Sequence, residues 1–113
     1  MDLETKIGQL FIYTAGKSAQ VGHTERDFLR HYRPGGLIYP SGPTAHHNRR
    51  QIARYLTDLQ RVNAELGLPG PLIVCVDHRG GDSSLLLPEE GGLEFPAPIA
   101  QAALGSAAQQ AGE

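Results

Sequence analysis

The apolar positions follow two periods, and together these predict helices alternating with short strands. The clearest pattern is helical. Over residues 44–66, Ile52, Tyr55, Leu56, Leu59, Val62 and Leu66 recur at three- and four-residue steps, with Arg49, Arg50, Arg54, Asp58, Arg61 and Glu65 mostly off that stripe. This predicts a helix laid over a sheet with a solvated, Arg-rich outer face. A second helix is predicted to start at Thr24, with Asp27 three residues on, and to turn Phe28, Leu29 and Tyr32 inward until Pro34-Gly35-Gly36 stops it. Residues 2–9 form a shorter pattern: Asp2 caps it, Glu4 suits the positive end of its dipole, and Leu3, Ile7 and Leu10 share a face.

Between these lie apolar runs too short for helices. Residues 10–14 read as a first strand closed by Ala15-Gly16, and residues 37–39 as a second broken by Pro40-Ser41-Gly42-Pro43. Residues 72–76, Leu-Ile-Val-Cys-Val, read as a third strand buried on both faces, the type found in parallel sheets. Residues 82–94 show no period, and a stretch of that length in a compact domain often forms a site wall. Pro96-Ala97-Pro98 then opens an alanine-rich helix from 99 to about 110. Repeating βα units imply an α/β fold with a parallel sheet and right-handed crossovers. Three parallel strands leave two open edges and cannot close a barrel, which takes about 250 residues in the TIM form. Residues 1–113 therefore read as an incomplete domain, the opening part of a larger α/β unit.

The third strand ends abruptly in Asp77-His78-Arg79-Gly80-Gly81. Ligands of parallel α/β folds sit at the carboxyl ends of strands, so Asp77 stands where a sugar, phosphate or metal is held, with two glycines letting backbone approach it. The same residues also suit a turn capped by Asp77, and both readings stand on this stretch alone.

Composition narrows the partners. The chain has 113 residues, a net charge of -2 and no basic run, so no nucleic-acid surface is expected. No apolar stretch approaches the roughly 20 residues needed to span a bilayer, so no membrane partner is expected. Cys75, the one cysteine, lies mid-strand and reads as a small buried hydrophobe; no internal disulfide can form, which fits a reducing compartment. Met1-Asp2-Leu3-Glu4 shows no signal-peptide pattern, and a cytoplasmic location is expected. Asp77, His78, His46 and His47 suit zinc as residue types, but no spacing matches a known site and no metal or cofactor is expected. Glu89, Glu90 and Glu94 offer acid–base partners for Asp77 but lie on the unpatterned stretch, where exposed carboxylates are ordinary. Gly80-Gly81 lacks the flanking glycines of a phosphate loop, which weakens a doubly wound nucleotide-binding reading. Tyr13 and Tyr39, near strand ends, suit core packing better than stacking on a sugar ring.

Four segments carry a family resemblance. They are Leu3-Glu4-Thr5-Lys6-Ile7-Gly8-Gln9-Leu10-Phe11, Tyr32-Arg33-Pro34-Gly35-Gly36-Leu37-Ile38, residues 72–81, and Phe95-Pro96-Ala97-Pro98 leading to Ala103-Leu104-Gly105. In order and spacing they resemble the amino-terminal part of the catalytic barrel of glycoside hydrolase family 3, in its bacterial β-N-acetylhexosaminidase branch. The resemblance implies the first three βα units of a TIM-type (β/α)8 barrel. It also implies a retaining hydrolase of β-linked N-acetylhexosamine or β-glucoside ends, with a carbohydrate as partner, working through a covalent glycosyl-enzyme. In the family the nucleophilic Asp, the acid/base group and a sugar-binding Lys-His pair come from later barrel segments, and no position here matches them. One role carries over: Asp77 corresponds to the carboxylate that accepts hydrogen bonds from sugar hydroxyls. The chain departs from the family where His78-Arg79 replaces Gln-Glu, Asp82 replaces an Arg, and Leu85 replaces a second Arg that helps hold the sugar. The departures point to a different sugar or to lost activity, so a non-catalytic carbohydrate-binding or vestigial α/β module is the alternative.

Overall fold

The computed structural model describes residues 1–40, 46, 48–78 and 96–105. In chain order the elements are α1 (Leu3–Gly8), β1 (Ile12–Thr14), α2 (His23–Tyr32), β2 (Gly36–Tyr39), α3 (Arg49–Glu65), β3 (Ile73–Val76) and α4 (Pro98–Leu104). The three strands make one parallel sheet in the order β1-β2-β3, with Tyr13 opposite Leu37 and Leu37 opposite Val74. The order runs without reversal and leaves β1 at an edge. The crevice that binds nucleotides in doubly wound folds forms where strand order reverses, and no such point exists among the described strands.

Side chains alternate across a strand, and the alternation divides the sheet into two unlike faces. Leu37 and Tyr39 of β2 are wholly buried, and with Ala15 and Leu72 they meet Leu29 of α2 and Tyr55, Leu59 and Val62 of α3 in one core. The stripe read from the sequence of α3 is the stripe it buries. On the opposite face stand Ile12, Thr14, Gly36, Ile38, Ile73 and Cys75, and Ile73 is 65% exposed. Gly36 is required there, because a Cβ at this position would run into the main-chain oxygen and side chain of Ile73.

Polar side chains set the joints. Asp2 caps α1 by accepting the Thr5 N–H at 2.8 Å. Arg33 closes α2 in the left-handed region (φ 49°), and its guanidinium reaches Asp2 at 3.1 Å and the Thr5 hydroxyl at 2.9 Å, fastening α1 to the end of α2. Gln60 of α3 donates to the Leu72 carbonyl and accepts from the Leu72 N–H, both at 2.8 Å, pairing the main chain just before β3. Asn63 donates to the Gly70 carbonyl at 2.8 Å in the α3–β3 turn.

Several expectations need correction. The third strand is not buried on both faces: Val76 is 53% exposed, and Cys75 is half-buried. Among the described residues β3 is an edge strand, with a strand neighbour on one side. Thr24 lies inside α2, whose cap is Gly22; Glu25 supplies the capping interaction by accepting the Gly22 N–H at 2.9 Å. Tyr32 faces solvent rather than the core, and the apolar face of α1, with Leu3, Ile7 and Leu10, is exposed. Residues 10–11 are turn rather than strand, and α3 starts at Arg49 after an Asn48 cap instead of at 44. Helix α4 starts at Pro98 and buries none of its residues; the predicted stretch beyond 105 lies outside the described residues.

The Gln60 clamp yields a measurable expectation. Gln60→Ala leaves the Leu72 N–H and C=O without these partners and should lower stability by about 1–3 kcal/mol, read from the urea midpoint. An unchanged midpoint would show that the clamp does not hold β3.

Candidate functional site at the carboxyl ends of the strands

All three strands run parallel, so the connections after them leave the same end of the sheet. Asp77 emerges there, immediately after β3. Its N–H donates to the Tyr39 carbonyl at 3.1 Å, extending the ladder one step, and the carboxylate-bearing residue is half-buried. Alternation places Asp77 on the face of Ile73 and Cys75, the face on which Ile12 and Ile73 are exposed. The site expected from the sequence thus has its central residue at the rim of a bare sheet face. His78 is exposed. Arg79, Gly80, Gly81, Asp82 and Leu85 lie outside the described residues, as do Glu89, Glu90 and Glu94 and His47.

The two tyrosines weighed as sugar platforms serve the core. Tyr39 is wholly buried, and the ring of Tyr13 packs on Phe28 at 4.5 Å, at one end of a row that continues through Tyr32 to His31. His46 is buried as well; its Nδ1 lies 2.6 Å from the Tyr39 hydroxyl and its Nε2 3.1 Å from the Ala19 carbonyl oxygen. With both ring nitrogens so engaged, His46 is not arranged as a metal ligand. Among the described residues no group of three His, Cys, Asp or Glu side chains is placed to hold a metal, and no helix is long and apolar enough to cross a membrane.

The connection from β1 to α2, residues 15–22, is gripped from three elements. The Gly16 N–H donates to the Tyr55 hydroxyl at 3.2 Å, and His46 holds Ala19. From α2, Glu25 takes the Gly22 N–H. Burial alone would raise the Glu25 carboxyl, but hydrogen bonds from the Ser18 hydroxyl, the Gly22 N–H and its own N–H outweigh it and hold the group below its ordinary value. A carboxylate kept charged here acts on the phenols nearby. Burial first, then the Tyr55 and Glu25 charges, push the Tyr13 phenol far above its ordinary value; burial first also raises Tyr55.

A separate groove of about 800 Å³ lies along the outer edge of β1, between α1 and α2, where Ile7, Phe11, Ile12, Phe28 and Tyr32 line it. It does not include Asp77. No pattern in the sequence signals this groove, because Tyr32 and Phe28 fit a core stripe equally well. Nor did the sequence reading single out Gln60 or Asn63, whose side chains bond main chain beyond the end of their own helix, or Glu25, whose bond to the Gly22 N–H three residues back is a local capping signal that was missed.

The raised phenols predict an alkaline transition. Their neutral forms are favoured by folding, so the stability they contribute is whole below the unfolded value near pH 10 and is lost as pH climbs from there through the folded values. In a phenolate absorbance titration Tyr13 and Tyr55 should ionise late, together with falling thermal stability above pH 10. Ionisation of Tyr13 and Tyr55 near pH 10 would contradict their buried arrangement.

No protein-family model matches the sequence, and no curated protein does. Solved structures do. A glycoside hydrolase family 3 β-N-acetylglucosaminidase from Paenibacillus sp. str. FPU-7 superposes with a TM-score of 0.76 at 26% identity, covering 93% of this chain and 19% of that one. A fungal multi-domain family 3 β-N-acetylglucosaminidase that carries an acetyltransferase region agrees in fold, with a TM-score of 0.74 at 24% identity over 92% of this chain and 12% of that one. The chain thus spans about a fifth or less of the length of these two structures. The resemblance read from four sequence segments has a structural counterpart: over more than nine-tenths of its length, this chain is similar to glycoside hydrolase family 3 β-N-acetylglucosaminidases.

Proposed function

We propose that the chain supplies the first three βα units of a TIM-type barrel of a family 3 glycoside hydrolase, with Asp77 as a carboxylate that grips sugar hydroxyls. The observation that carries this reading is the place of Asp77: the carboxyl end of a parallel strand, on the sheet face where Ile12 and Ile73 are exposed. In a closed barrel that face is the interior, and ligands bind at its carboxyl-end rim. Both sheet edges, β1 and β3, would be where further strands join. The substrate class proposed is a β-linked terminal N-acetylhexosamine or β-glucoside. A carboxylate accepting hydroxyl protons makes charge-assisted bonds, which are shorter and stronger than neutral ones.

Within these 113 residues Asp77 binds rather than reacts. Retaining hydrolysis needs a nucleophilic carboxylate and an acid/base group about 5 Å apart across the bond being cut. Among the described residues no second carboxylate stands beside Asp77 at the end of a strand.

The test is a titration of the isotope-labelled chain with N-acetylglucosamine, followed by amide shifts. Signals of residues 75–78 should move, and Asp77→Ala should weaken binding at least tenfold, the scale of lost charge-assisted bonds. An aryl β-N-acetylglucosaminide should survive incubation with the chain intact. Undiminished binding by Asp77→Ala, or turnover by the 113-residue chain, would overturn the reading. Sugar binding by a longer protein that contains this segment but never hydrolyses glycosides would favour the non-catalytic module instead.

A further inference from the structure

Three rings meet beneath the rim on which Asp77 stands. Tyr39 ends β2, Tyr55 lies in the second turn of α3, and His46 belongs to the connection between them. The His46 ring centre is 4.6 Å from that of Tyr55 and 5.8 Å from that of Tyr39, and the two tyrosine rings are 6.5 Å apart. A carbonyl oxygen only accepts, so the 3.1 Å contact with Ala19 requires the hydrogen of His46 on Nε2. In the neutral ring Nδ1 is then the acceptor, and the Tyr39 hydroxyl donates to it at 2.6 Å. One imidazole thereby ties the connection after β1 to the last residue of β2.

The same connection is seated on the cluster a second time. Gly16 donates its N–H to the Tyr55 hydroxyl and lies so close to Tyr39 that a Cβ there would come within 2.8 Å of the ring; its φ of +85° already favours glycine. Tyr39 in turn receives the Asp77 N–H on its carbonyl oxygen. The ends of β1, β2 and β3 are therefore joined through Tyr39, and His46 is the part that reaches the outlying wall.

We propose that His46 is a positioning residue for a carbohydrate at Asp77: through opposite ring nitrogens it fixes residues 16–21 against Tyr39, the residue whose carbonyl holds the Asp77 N–H, without touching the sugar. The assignment rests on the carbohydrate reading of Asp77. It does not follow from the family resemblance, whose matching segments omit His46. The positioning comes from geometry: the ring bonds the Ala19 carbonyl and the Tyr39 hydroxyl, groups far apart in sequence, at the carboxyl end of the sheet.

Three readouts on the 113-residue chain test it. In nitrogen-15 spectra of the histidine-labelled protein, His46 should show a single tautomer protonated at Nε2; the other tautomer, or an exchange average, overturns the proposal. In His46→Ala, amide exchange over residues 16–21 should accelerate and N-acetylglucosamine affinity fall, each about tenfold, the scale of one or two lost hydrogen bonds. His46→Asn keeps an acceptor toward Tyr39 and His46→Gln a donor toward Ala19. Each should restore part of the affinity, so the test survives if the alanine variant fails to fold. Faster loop exchange with unchanged sugar affinity overturns the positioning role while leaving Asp77 as the sugar contact. Absence of sugar binding by the unaltered chain, with tautomer and loop protection as expected, instead overturns the carbohydrate reading, and the positioning assignment with it.

Discussion

The structure depends on the burial of one side of β2. This strand alone has a hydrogen-bonded neighbour on each side, and its Leu37 and Tyr39 are wholly buried where α2 and α3 come together. Burying a leucine of this kind stabilises the fold by roughly 1.5–3 kcal/mol relative to exposure, and Leu29, Leu37 and Leu59 all meet on that face. Each flanking strand is held mainly by its ladder to β2. The main chain around β3 gains further support from Gln60, which bonds Leu72 on both its N–H and its C=O.

Tyr39 carries this constraint from the core to the rim. Its ring packs beneath the helices, its hydroxyl bonds His46, and its carbonyl takes the N–H of Asp77. A residue chosen for burial thus also sets where the strand-end carboxylate begins. The β1–α2 connection answers to the same cluster through Gly16 and Ala19, while Glu25 holds it from the side of α2. A polar network of this kind raises the cost of removing any one partner, since a buried group is left unsatisfied.

What the fold leaves open is as informative as what it buries. Ile12 and Ile73 are exposed on one face of the sheet, Val74 and Val76 on the outer half of the other, and Phe11 and Ile7 beside the β1 edge. Apolar side chains at these places, with strand edges next to them, are the surfaces that neighbouring βα units cover in a barrel. In the proposed barrel the exposed face would become an interior, with Asp77 at its mouth.

The sequence by itself determined the number, type and order of the elements, because helix and strand periods are local and Pro and Gly mark where they end. It determined the stripe of α3 residue by residue, the Asp2 cap, and the emergence of Asp77 from a strand end. It misjudged β3, whose run of Ile73-Val74-Cys75-Val76 reads as doubly buried, since an apolar run records what a strand is suited to cover and not which neighbours are present. Tyr32 failed for the same reason: helical phase places it on the inward side, but it borders an open groove instead of the core. The Glu25 cap of α2 is a local contact, three residues from Gly22, that the reading of Thr24 passed over. Only the tertiary structure decided that Gln60 serves as a partner for Leu72. It alone decided that His46 joins Ala19 to Tyr39. Those contacts join residues up to 27 positions apart, and no local pattern encodes a hydrogen bond whose partner arrives only when the chain has folded.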